Sequence, residues 1–120
     1  MVTKVMKESI FESVKDYLGP SDDDDHFDGQ IMEAINSTFQ TLHQLGIGPK
    51  EGFYIEDRER PWSDYTTDGV FLHSVKTYMN FKVKMIVDPP TSSFVLESMK
   101  EQCKEFEWRN YSDAEFPAWK

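Results

Sequence analysis

The stretch GVFLHSVKTYMNFKVKMIVDPPTSSFVLESMKEQCKEFEWRN, Gly69 to Asn110, holds two helical patterns separated by a Pro-Pro break. In the first pattern Leu72, Val75, Met79, Val83 and Ile86 recur at spacings of three or four and share one face. Phe71, Tyr78 and Met85 form a second face at seven-residue spacing, which leaves His73, Lys76, Thr77, Asn80 and Lys84 as a narrow polar strip. The spacing predicts a helix over Gly69–Val87 that is apolar around most of its circumference. Such a helix needs cover on several sides. In a chain this short three other helices are expected to fall short, so that a second copy or another protein supplies the rest. Pro89-Pro90 ends the helix, because proline disfavours helical geometry in the residue before it. Thr91 or Ser92 then caps a fourth helix running to about Asn110, and the short link makes the two an αα-hairpin. Val95, Met99, Cys103 and Phe106 fall on its inward face. Glu97 with Lys100, Glu101 with Lys104, and Glu105 with Arg109 mark the solvated side, each pair contributing about 0.2–0.5 kcal/mol.

Working towards the N-terminus, Ile31, Ile35, Phe39 (or Thr38), Leu42 and Leu45 make the stripe of a second helix, stopped by Gly46 and Gly48-Pro49. Asp28 is its expected cap, with Phe27 and Met32 as a hydrophobic staple and Asp25 as the other capping candidate. A first helix is predicted from about Lys4 to Leu18, with Met6, Ile10, Val14 and Tyr17 inward and Lys7, Glu12, Lys15 and Asp16 solvated. Gly19-Pro20 stops it, and residues 21–25 form a polar connector. Residues 46–69 carry no helical pattern, and a connection much longer than about 12–15 residues is uncommon without a job. Phe53 and Ile55 alternate as in a short strand, and Trp62 and Tyr65 follow Pro61 in a turn-rich run. These aromatics read as pins holding the loop to its own bundle, with a partner-binding loop as the alternative. The expected architecture is all-α: about four helices, a long irregular loop between the second and third, a helical domain over 1–110 and a C-terminal tail over 111–120. The tail retains Tyr111, Phe116 and Trp119, anchors that dock in a partner's groove or fold back on the domain.

The chain of 120 residues carries a formal charge of −9, which suits one domain and argues against direct DNA readout, since that needs clustered Lys and Arg. Cys103 is the only cysteine, so an internal disulfide and a cysteine-cluster metal site are excluded. The N-terminal run breaks its apolar residues with Lys and Glu, unlike a signal peptide, and no run approaches the roughly 20 apolar residues of a membrane span. Synthesis and residence in the cytosol, with no membrane partner, are the expectation. Aligning Gly29 with the glycine of a calcium loop puts His26 at a ligand position and Ile35 where a bidentate Glu must stand, so the match fails. The Asp22–Asp25 run with His26 reads as a solvated segment near a helix N-terminus. His26, His43 and His73 lack metal-ligand spacing, and neither a phosphate loop nor a nucleophile motif occurs. No catalysis, cofactor or metal is expected.

The run Val75–Asn110, above all the DPPTSSF turn at Asp88–Phe94 followed by a KEQ…EWR helix, resembles the C-terminal half of the head-to-tail connector (adaptor) proteins of tailed bacteriophages. INSTFQTLHQLGIGPKEGF at Ile35–Phe53 and the Trp-Ser-Asp-Tyr stretch at Trp62–Tyr65 extend the similarity, which covers about residues 5–110. The resemblance implies an all-α protomer of the virion's head-to-tail junction that forms a ring, expected to be a dodecamer, between the portal protein and a neck or tail-completion protein. It implies that genome DNA passes through without sequence-specific binding. It also implies that Cys103 and Trp108 are apolar packing positions. The protein interface is expected to draw on Phe53, Ile55, Trp62, Tyr65, Phe71, Tyr78, Met85, Tyr111, Phe116 and Trp119. Two rivals remain: an acidic inhibitor that mimics DNA, which duplex DNA would displace from its partner, and a metal-dependent enzyme built on Asp22–His26, which calorimetry with divalent metals would reveal.

Overall fold

A computed structural model describes residues 7–19 and 27–115, the last five by backbone alone. Helix α1 spans Ile10–Leu18, α2 Asp28–Gln44, α3 Gly69–Val87 and α4 Ser93–Glu115, with a single 3-10 turn at Trp62–Asp64 and no strand among the described residues. The fold is all-α, as its periodicities predict. α3 lies at the centre, with α1, α2 and α4 all packed against it. Its Leu72, Val75, Tyr78, Met79 and Val83 are buried. The expectation that α3 outstrips the cover available in one protomer is therefore corrected, because three helices and the loop enclose it and, of its large apolar side chains, only Val70 and Ile86, near its two ends, are strongly exposed. Ile86, placed inward by periodicity, is the penultimate residue of α3 and is 58% exposed.

Residues 7–9 are not helical, although periodicity carried the first helix back to Lys4; Lys4 and Met6 lie outside the described residues. The cause is a competing set of hydrogen bonds. The Ser9 hydroxyl accepts from the Glu12 amide at 3.1 Å, capping α1, and donates to the Arg58 carbonyl. Ile10 N–H donates to Arg60 O at 2.9 Å and Trp62 N–H to Glu8 O at 3.0 Å, a one-bridge antiparallel pairing around Ser9 and Pro61. With α1 so started, Ile10, Phe11 and Val14 face the core, while Tyr17 is exposed and rests near Phe81. Lys15, expected in solvent, is largely covered and meets Asp28 at 2.9 Å. Asp28 in turn receives Arg58 at 2.8 Å, so its carboxylate ties α1, α2 and the loop together instead of capping α2, which lacks a side-chain cap. The alternative cap, Asp25, lies outside the described residues.

The loop forms a layer of the core. Ile47, Ile55, Trp62 and Tyr65 join Phe39 and Leu42 of α2 in one buried cluster. The Asn36 carboxamide donates to Ile55 O at 2.9 Å and accepts from Ile55 N–H at 2.8 Å, doing for this residue what a neighbouring strand would do. That is why Phe53–Ile55, though patterned like a strand, pairs with no strand. Trp62 Nε1–H donates to the Ser13 hydroxyl at 3.0 Å, which itself donates to Ile10 O at 2.9 Å. The loop is thereby fastened to α1 and α2 by backbone and side chain.

α4 begins after Ser92, whose hydroxyl accepts from the Val95 amide at 3.3 Å, and continues to Glu115, five residues past its expected end. It packs chiefly on α3. Met99 and Cys103 are buried, and Phe106 stacks on Tyr78 with ring centroids 4.5 Å apart. Val95, expected inward, is exposed in the first turn of α4.

Candidate interaction surfaces

Trp62 and Tyr65 of the loop are buried in the protomer and Phe53 is partly buried against the same core, whereas Tyr54 is exposed. Phe39 of α2 lies at their centre, with Phe53 at 4.9 Å, Tyr65 at 5.0 Å and Trp62 at 6.1 Å between ring centroids. Most of these contacts are edge-on or tilted, the arrangements that ring quadrupoles favour. Phe71 stacks on Tyr65 at 6.3 Å, and the Arg60 guanidinium covers Phe53 at 4.7 Å. Ile55, Trp62, Tyr65 and Tyr78 are buried, while Phe53, Phe71 and Met85 are partly buried against the same core. Seven of the residues expected at an interface are thus committed to one fold, since each found an apolar partner in its own chain. The side chain of Tyr111, and Phe116 and Trp119 altogether, lie outside the described residues.

The uncovered apolar side chains lie elsewhere. Phe94 is 83% exposed and Trp108 70% exposed. Trp108 therefore departs from the buried role that the resemblance implied, which Cys103 does fill. An α-helix advances 100° per residue, so Phe94, Glu101 and Trp108, seven residues apart, share the side of α4 opposite Met99, Cys103 and Phe106. Phe94 and Trp108 stand about 21 Å apart along the axis. Between them run Glu97, Glu101 and Glu105, paired with Lys100 at 3.7 Å, Lys104 at 3.9 Å and Arg109. The surface is an alternating-sign ridge with an aromatic at each end. Its signal was present in the sequence as two aromatics out of phase with the buried stripe.

A second feature is the groove between α3 and α4, about 530 Å³, lined by residues from His73 to Phe81 and from Gln102 to Asn110. Its floor holds the Tyr78–Phe106 stack and Cys103. The Tyr78 hydroxyl donates to Glu107 at 2.6 Å, and Lys82 lies 3.7 Å from the same carboxylate. Burial, then the hydrogen bond to Glu107, pushes the Tyr78 phenol well above its ordinary range. Burial likewise pushes the Cys103 thiol up to about 11, so it is a protonated packing group and no nucleophile at neutral pH.

Among the described residues no group of three or more His, Cys, Asp or Glu side chains is arranged to hold a metal, and the Asp22–His26 run lies outside them. No described helix is long and apolar enough to cross a membrane. No curated protein and no solved structure matches the chain. A family model described as phage connector protein does match, over residues 10–115, from the first residue of α1 to the last of α4. With nearly the whole helical domain so matched, the chain belongs to the phage connector protein family.

Proposed function

We propose that the protein is a structural component of a tailed-phage virion, a connector that joins the head to the neck or tail. Copies assemble into a ring beneath the portal protein, a dodecamer in the virion, with a neck or tail-completion protein on the other side. The observation that carries this reading is the family match over residues 10–115. The surface supports it: Phe94 and Trp108 are large apolar side chains that a lone protomer leaves in water, and such residues favour an interface. The ring contact is assigned to this side of α4, with Val70 and Ile86 as further uncovered apolar positions. The tail, with Tyr111, Phe116 and Trp119, reaches an axial neighbour. The protein is made in the host cytoplasm and ends at the head-to-tail junction.

The formal charge of −9 per copy suits a channel that DNA traverses, because a ring of acidic protomers repels phosphates and offers no sticking point. The DNA-mimic reading gains no support from α4, whose outer glutamates are each matched by a nearby cation. Incubation of the purified protein with the portal of its phage, followed by electron microscopy, tests the proposal. A ring seated on the portal is expected. Failure to associate with that portal would overturn the connector role.

A further inference from the structure

We propose that Trp108 of one copy seats in the groove between α3 and α4 of the next copy, so that successive protomers of the ring join knob to groove. The inference deepens the ring reading above and rests on it. Two uncovered features of a single protomer carry it. Trp108 is 70% exposed, and the groove of about 530 Å³ has a floor of Phe81, Cys103 and Phe106. The raised thiol of Cys103 marks that floor as poorly hydrated. One protomer cannot fill the groove with its own knob. Trp108 lies on the side of α4 opposite the buried Met99, Cys103 and Phe106, so its indole projects away from the groove that the same helix lines.

Level and charge agree on the pairing. On α4 the groove is lined between Gln102 and Asn110, and Trp108 stands within that stretch, whereas Phe94 lies about 12 Å short of it. Copies in a closed ring are related by rotation without rise, so with α4 running along the ring axis the indole meets the next groove at its own level. The helix that forms the other wall, α3, carries three lysines and no acidic residue. α4 carries six acidic against three basic residues, so α4 of one copy is drawn to α3 of the next. At the rim Arg109 supplies a cation for the face of the indole, and Thr77 and Glu105 supply acceptors for its Nε1–H. Because knob and groove are different surfaces, a copy that gives its Trp108 keeps its own groove open for another. Such a heterologous contact repeats until the ring closes, whereas a two-fold pairing would stop at a dimer.

The test seats the full chain carrying Trp108→p-benzoylphenylalanine, a photoreactive aromatic, on the portal of its phage, beside the unaltered chain. Irradiation is expected to join copies into a ladder beyond the dimer, with cross-links that mass spectrometry maps to residues 73–81 or 102–110. Rings that yield dimers alone, or cross-links to the portal or to other segments, overturn the proposal and leave the connector role standing. An unaltered chain that does not seat on the portal overturns the connector role, and the proposal with it. Thr77→Phe decides the matter independently, because it fills the groove from an exposed position and removes no buried group. That variant is expected to keep its thermal transition and to lose closed rings on the portal. Closed rings at the frequency of the unaltered chain overturn the proposal.

Discussion

Tyr65 is buried in the aromatic cluster, and its hydroxyl has no hydrogen-bond partner among the described residues. The same oxygen lies 2.7 Å from where a Cβ on Gly48 would stand, and Gly48 has φ +93°. Gly48→Ala therefore meets both a forbidden backbone region and a collision, and is expected to cost about 2–3 kcal/mol, read as a lower urea midpoint. Tyr65→Phe removes an unpaired polar atom and is expected to be neutral or to stabilise by up to about 1 kcal/mol. A clear loss would show that the hydroxyl is satisfied after all. Burial raises the Tyr65 phenol from 10.0 to about 12 and the Cys103 thiol from 9.0 to about 11. Both stay protonated in the fold over a range where the unfolded chain has released its protons. Their contribution is whole below about pH 9 and drains away as pH climbs towards 12. Denaturation midpoints at neutral and strongly alkaline pH should show this decline, with a shallower slope in Cys103→Val.

The α3–α4 hairpin was legible because its cues are local: α3 has the bounds its apolar spacing predicts, and Ser92 caps α4 as one of the two expected candidates. The anchoring role of the loop aromatics was legible too, as one of two readings. The start of α1 was not, since the bonds that hold Glu8 and Ser9 out of the helix come from residues 58–62, far along the chain. Nor could spacing reveal that Lys15 and Asp28 meet across two helices, because polar residues on a helical wheel look the same whether they face water or each other. Trp108 was readable by phase, yet similarity to the family pointed it inward; the backbone register of α4 decides the matter. Asn36 is the residue on α2 that period arguments treat as ordinary and the structure does not. Asn36→Ala leaves both the N–H and C=O of Ile55 without their partner, and is expected to cost about 2–3 kcal/mol in chemical denaturation. A cost near zero would mean that water replaces the carboxamide.

With α3 enclosed, Phe94 and Trp108 on the outer side of α4 are among the most exposed large apolar side chains of the protomer. The double variant Phe94→Ser/Trp108→Ser removes exposed groups, so its stability should stay within about 0.5 kcal/mol of the parent. Its association with copies on the portal, followed by light scattering and microscopy, is expected to fall. Intact assembly would move the ring contact to another surface. The one-sided seat of α4 has a different consequence as well. α1, α2 and the loop are locked together by the Glu8–Trp62 and Ile10–Arg60 bonds, whereas α4 leans chiefly on a single helix. Amide hydrogen exchange should therefore separate two cooperative units, with most of α4 opening more cheaply than the amides of Ile10, Ile55 and Trp62. A connector with that division of stability can swing one arm to meet its neighbours while the body that carries it stays folded.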